Sequence, residues 1–217
     1  MKSIEHKSPM ENFGLYVILT QPRLPHAKIA EICVKAGVKM LQLREKHLSD
    51  QALLSLGKEI KRITKGSSTK FIINDRVDLA FLMDADGVHL GQDDLCIADA
   101  RKIVGSDIII GRSTHSIEQA NAAIAEGADY IGFGPVYETP TKAVPDPTVG
   151  LALLKKAIHT SPVPVVAIGG IFPKTLDSVI STGAQNFAVV RYLMETDEVE
   201  SRILQLLFSI KNKKLGR

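Results

Sequence analysis

Three observations predict a single (β/α)8 barrel. Eight short apolar runs rich in β-branched residues recur along the chain, a helical pattern follows each, and the whole spans 217 residues. Strict strand–helix alternation calls for a parallel sheet, because each crossover returns the chain to the same edge before the next strand begins. Eight such units can close on themselves within this length, near the lower limit for the fold. An open, doubly wound sheet is the competing arrangement. Related joints at Ala36-Gly37-Val38, Gly127-Ala128-Asp129 and Gly183-Ala184-Gln185 mark helix-to-strand returns and support a repeated unit.

The first strand is Gly14-Leu15-Tyr16-Val17-Ile18-Leu19-Thr20, closed by Gln21-Pro22. Helical spacing of Ile29, Ile32, Cys33 and Ala36 predicts a helix over 26–36, which Gly37 stops. Strand two covers 38–43, and Ser49-Asp50 caps a helix over 51–64. Strand three is Lys70-Phe71-Ile72-Ile73, followed by a short helix over 77–83. Strand four covers 85–90 and its helix 98–104. Strand five is expected at 107–111, with a helix over 117–126. Strand six is Tyr130-Ile131-Gly132-Phe133-Gly134, and a long loop then runs from Pro135 to about Thr148. A helix over 150–158, strand seven over 163–168, a helix over 173–181, strand eight over 186–190 and a last helix over 198–210 complete the pattern.

The hydrophobic content of 45% and charged content of 24% suit one domain with a sizeable core, taken as residues 1–217 with a short polar extension (1–13) and a basic, solvated tail (211–217). A net charge of +3 argues against a nucleic-acid partner. No run of eighteen apolar residues predicts a membrane span, and the opening residues lack the apolar segment of a signal peptide, so a cytoplasmic protein is expected. Cys33 and Cys96 lack CxxC spacing and sit in helical contexts, which predicts two buried free thiols. The sequence leaves homo-oligomerisation open.

In a barrel, chemistry gathers where strands end at their carboxyl side. That rim collects Gln42, Arg44 and Lys46 after strand two, Asn74, Asp75 and Arg76 after strand three, and His89, Gln92, Asp93 and Asp94 after strand four. It continues with Ser113 and Thr114, then Thr139, Thr141 and Lys142 in the long loop, Gly169-Gly170, and finally Val189, Val190 and Arg191. Two strands that stop at carboxylates bring Asp75 and Asp94 to one place. Hard oxygen ligands with room for water and phosphate are what Mg²⁺ takes. Both aspartates could equally cap the helices that follow them. Gln42 and Arg44 alternate along their strand and so point the same way. Gly169-Gly170 reads either as a backbone cradle for phosphate or as a tight turn needing positive φ. His115 and His159 read as ordinary surface residues. Cations, hydroxyls and a carboxylate pair at one rim predict a phosphate-rich ligand and electrostatic rather than covalent chemistry.

Several motifs in this order carry a resemblance: Gln42-Leu43-Arg44-Glu45-Lys46, Ile73-Asn74-Asp75-Arg76-Val77-Asp78, Gly87-Val88-His89-Leu90-Gly91-Gln92-Asp93-Asp94, Ser113-Thr114-His115-Ser116, Gly132-Phe133-Gly134-Pro135-Val136 with Thr139-Pro140-Thr141-Lys142, and Ala167-Ile168-Gly169-Gly170-Ile171. Together, over residues 14 to about 194, the chain resembles the thiamine phosphate synthase family. The resemblance implies a transferase that joins 4-amino-5-hydroxymethyl-2-methylpyrimidine diphosphate to 4-methyl-5-(2-hydroxyethyl)thiazole phosphate, giving thiamine phosphate and diphosphate. It implies Mg²⁺ held by Asp75 and Asp94. It implies a catalytic set at Arg44, Lys46, Asn74 and Lys142, which grips the diphosphate. Gln42, His89 and Ser113 would meet the pyrimidine. Thr139, Thr141 and the amides of Gly170, Val190 and Arg191 would meet the thiazole phosphate. Two positions depart from the family pattern: Arg191 stands where Ser is usual, and Arg112 where small apolar residues are common. A thiazole tautomerase-like isomerase and a non-catalytic thiazole or thiamine phosphate binder are the alternative readings.

Overall fold

The computed structural model describes residues 10–139 and 147–215. Eight strands close in sequence order into a parallel barrel. They are β1 (Leu15–Leu19), β2 (Met40–Leu43), β3 (Lys70–Asn74), β4 (Gly87–Leu90), β5 (Ile109–Thr114), β6 (Tyr130–Phe133), β7 (Val165–Ala167) and β8 (Asn186–Val189). The helices among the described residues are α1 (His26–Ala36), α2 (Asp50–Thr64), α3 (Val77–Leu82), α4 (Ile97–Val104), α5 (Ile117–Ala125), α6 (Gly150–Thr160), α7 (Pro173–Ser181), α8 (Arg191–Met194) and α9 (Val199–Leu215). β8 pairs back onto β1, with Val17 opposite Val189, which excludes the open sheet.

Strands buried on both faces read as continuous apolar runs, and the period of two decides which face each residue takes. Tyr16, Ile18, Met40, Ile72, Tyr130, Val166 and Ala188 fill the barrel interior. Leu15, Val17, Leu41, Leu43, Phe71 and Ile73 face the helical layer instead. Met10 and Phe13, within the stretch expected to be a polar extension, pack against the interior cluster. Phe13 meets Tyr16 and Tyr130 edge-on, with ring centroids 5.9 Å apart in each case. Asn186 Oδ1 accepts from the Phe13 and Gly14 amides at 2.7 and 3.2 Å, tying this segment under the barrel.

The repeated unit is visible in its joints. Asp86, before β4, accepts from the Phe71 amide at 2.8 Å and pairs with Lys61 at 3.0 Å. Asp129, before β6, accepts from the Ile110 amide at 2.7 Å and pairs with Arg101 at 2.6 Å. Ser49 and Ser116 accept from the Ala52 and Gln119 amides and cap α2 and α5.

Four expectations change. β5 runs to Thr114 rather than 111, because Ser113 and Thr114 pair with Gly132 and Phe133 of β6 despite their polarity. The short α8 follows β8 directly and was hidden in the strand's apolar continuation. α9 continues through residues expected to be a tail, as far as Leu215. Cys33 is buried, but Cys96 is exposed at the start of α4, where its thiol donates to Asp99 Oδ2 at 3.2 Å.

Candidate active site

The rim at the carboxyl ends of the strands carries two adjoining features. One is a cavity of about 200 Å³ over β5–β8, and the other is a charged ledge over β2–β4. The cavity is lined by Arg44, Ser113, Thr139, Gly170, Val190 and Arg191 among the expected site residues. Ile18, Ile168 and Ala188 supply apolar lining. A chain turn with glycines at both 169 and 170 brings the backbone to its wall. Both have positive φ, +96° and +64°, and a Cβ at Gly169 would fall 2.5 Å from Pro135 Cα. The turn therefore needs glycine for conformation and for close approach to the loop after β6.

On the ledge, Asp75 has φ +62°, a left-handed conformation that aspartate tolerates better than most residues. Its amide donates to the His89 carbonyl at 2.8 Å, and its Oδ2 lies 3.0 Å from Lys46 Nζ. Asp94 accepts from the Gly91 amide at 2.6 Å. Burial first, and then the neighbouring Asp75 carboxylate, push the Asp94 carboxyl above its ordinary range. Neither residue caps a helix: α3 begins after Arg76 and α4 after Cys96, and neither cap carries a side-chain bond. The capping reading of Asp75 and Asp94 therefore gives way to a carboxylate pair.

Among the described residues no cluster of three or more His, Cys, Asp or Glu side chains gathers to hold a metal. Two carboxylates at an open rim still match Mg²⁺, which commonly takes one or two protein carboxylates and fills its octahedron with phosphate oxygens and water. The donor set therefore fits the implied ion.

Gln42, Asn74, His89 and Ser113 face inward by strand alternation, and pairing brings Asn74 opposite His89. Gln42 is buried and donates from Nε2 to Tyr16 Oη at 2.7 Å. Ser113 Oγ lies 2.9 Å from His89 Nε2. Glu45 turns away from Arg44 and pairs with His26 at 2.7 Å, so the arginine is not tied to its neighbour. Arg191 forms an ion pair with Glu195, one helical turn on, at 2.7 Å. Thr141 and Lys142 lie outside the described residues.

The structure adds residues that sequence reasoning missed. His115, expected at the surface, is half-buried, lines the cavity and bonds through Nδ1 to the Gly134 carbonyl. Its place just past a strand end was the available signal. His159 is exposed, as expected. Arg112 is buried on the outer face of β5 and donates to the carbonyls of Leu95 and Gln92 at 2.9 and 3.2 Å, in the loop that carries Asp94. Tyr16 and Tyr130 lie in strands one and six, and their hydroxyls join the inward polar residues.

Residues 15–193 match the family model described as thiamine monophosphate synthase. A thiamine-phosphate synthase of Synechocystis sp. is 46% identical over 91% of this chain, and one of Clostridium novyi is 38% identical over 87% of this chain and 94% of its own length. The chain spans about half the length of some relatives, 57% for the Synechocystis protein. The structure of thiamine phosphate pyrophosphorylase from Pyrococcus furiosus superposes with a TM-score of 0.84 at 33% identity, covering 93% of this chain and 97% of that one. The barrel, the paired rim carboxylates and these similarities agree: the chain belongs to the thiamine monophosphate synthase family.

Proposed function

We propose that the protein is a Mg²⁺-dependent thiamine phosphate synthase, which couples the hydroxymethylpyrimidine diphosphate to the thiazole phosphate. The observation that carries this reading is the Asp75–Asp94 pair with Lys46 beside it, at the edge of a glycine-walled cavity. Such an arrangement suits two ligands, a diphosphate on the ledge and a monophosphate in the cavity. It favours a synthase over the tautomerase-like reading, which has no use for a second rim carboxylate, and over an inert binder.

Mg²⁺ held by Asp75 and Asp94 would supply positive charge against the diphosphate oxygens. Arg44, Lys46, Asn74 and Lys142 grip the diphosphate and take up the charge that grows as it leaves. The bond from the pyrimidine methylene carbon to the diphosphate oxygen breaks, and its electron pair departs with the oxygen. The thiazole ring nitrogen, aligned by its phosphate in the cavity, gives its lone pair to that methylene carbon. Gln42, His89 and Ser113 orient the pyrimidine. Thr139, Thr141 and the amides of Gly170, Val190 and Arg191 hold the thiazole phosphate. No protein nucleophile is required. No helix among the described residues is long and apolar enough to cross a membrane, and the free thiols fit the cytosol.

The test is to incubate the purified chain with both substrates and MgCl₂ and measure thiamine phosphate and diphosphate together. Equimolar formation of both, abolished by EDTA and restored by Mg²⁺, is expected. Intact substrates after prolonged incubation with saturating Mg²⁺ would overturn the reading.

A further inference from the structure

Glu45 stands in the chain between Arg44 and Lys46, the two cations proposed for the diphosphate, and takes a different course from both. Arg44 lines the cavity and Lys46 reaches Asp75 on the ledge, whereas the Glu45 side chain is only 5% exposed. Burying a carboxylate is costly unless donors receive it. Here Oε1 accepts from the Gln21 amide at 2.5 Å and lies 2.7 Å from His26 Nε2. Both partners belong to the segment that leaves β1 and opens α1.

That segment offers a fixed wall. Gln21 has φ +43°, a left-handed conformation that a residue with a side chain keeps only where its surroundings hold it. The Arg23 amide donates to the carbonyl of Met194, the last residue of α8, at 3.0 Å. α1 has no side-chain cap and no acidic residue in its first turn, and Glu45 brings a carboxylate to its first residue, His26.

The β2–α2 loop is fastened to this wall at two successive residues. The Arg44 amide donates to the Leu19 carbonyl at 2.8 Å, and Glu45 follows with its side chain. Past that point residues 46–50 are all exposed, so Lys46 springs from the first free position after the fastening. The backbone at Glu45 carries Arg44 on one side and Lys46 on the other, and a rotation that freed the carboxylate would move both cations. It would also turn a negative charge toward the diphosphate.

We propose that Glu45 is a positioning residue: by clamping the β2–α2 loop to Gln21 and His26, it fixes the directions from which Arg44 and Lys46 meet the diphosphate. The role toward diphosphate rests on the synthase reading, and the clamp does not.

The test compares the wild type with Glu45→Ala and His26→Ala by calorimetry with inorganic diphosphate in MgCl₂, by turnover and by amide hydrogen exchange. Glu45→Ala should weaken diphosphate binding and raise KM for the pyrimidine diphosphate roughly tenfold, the effect of one lost hydrogen bond to a charged group. KM for the thiazole phosphate should change less than about threefold. The amides of Gln21 and Arg44 should exchange faster, while those of β5 to β8 keep their protection. His26→Ala should show the same pattern at several-fold, and it carries the test if Glu45→Ala fails to fold. Folded variants that bind diphosphate as the wild type does, or that lose both substrates equally, would overturn the proposal. Faster exchange at the two amides in the variant, with a wild type that binds no diphosphate and turns over neither substrate, would sink the synthase reading and leave the clamp standing.

Discussion

Lys46 Nζ lies 3.0 Å from Asp75 Oδ2, so the ledge pairs the cation proposed for the diphosphate with the carboxylate proposed for the metal. The two can part when a diphosphate and its cation arrive, because the lysine side chain is about half-exposed and held by nothing stronger than a surface pair. Asp75→Asn or Asp94→Asn should lower kcat/KM on the order of 100-fold. Both should weaken Mg²⁺ binding in the presence of inorganic diphosphate, read by calorimetry, while leaving the melting temperature nearly unchanged. Normal Mg²⁺ binding in both variants would contradict the metal assignment.

Arg112 ties the β4–α4 loop by two carbonyl bonds, to Gln92 and Leu95. Hydrogen bonds from a charged donor are worth about 1.5–3 kcal/mol when buried. Arg112→Met should therefore loosen the loop that holds Asp94 and raise the Mg²⁺ concentration needed for half-maximal turnover. Arg112→Lys should not rescue it, because an ammonium cannot fork between two carbonyls as a guanidinium does. A Mg²⁺ titration of activity in the three proteins checks this, and equal midpoints would refute it.

Gly111→Ala places a methyl group inside contact distance of a fully buried tyrosine ring. Overpacking of this kind costs about 1–3 kcal/mol. Equilibrium denaturant unfolding should show a loss of that size with an unchanged m-value. A variant as stable as the wild type would mean that the ring can shift.

Arg191 is engaged by Glu195 and exposed, so its guanidinium is not committed to the cavity that its backbone helps to line. If the phosphate is held there through the main chain, Arg191→Ser should change KM for the thiazole phosphate only several-fold, about 1 kcal/mol. KM for the pyrimidine diphosphate should stay in place. Turnover that appears only in Arg191→Ser would instead identify the arginine as an obstruction and favour the inert-binder reading.

The barrel was legible because each strand and helix carries its period locally. Tyr16, Ile18 and the other interior residues alternate with Leu15, Val17 and Leu19 in the sequence itself, and Gly37 and Ser49 mark their helix boundaries. Gln42 and Arg44 could be placed on one side of their strand by the same alternation. Arg112, Ser113 and Thr114 look like loop residues in the sequence, and only their pairing with β6 makes them strand.

What the sequence by itself determined is the order of strands, the side that each inward residue takes and the cluster of charge at one rim, all consequences of local periodicity. Only the tertiary structure decided that Asp75 and Asp94 pair rather than cap, that His115 reaches the cavity and that Arg112 grips the loop of Asp94. It alone joined Tyr16, Tyr130, His89 and Ser113, residues from four different strands, into one line. The physical reason is that a hydrogen bond or a shared charge depends on distances across the closed barrel, set by strand register and by the space a glycine leaves, neither of which any single segment encodes.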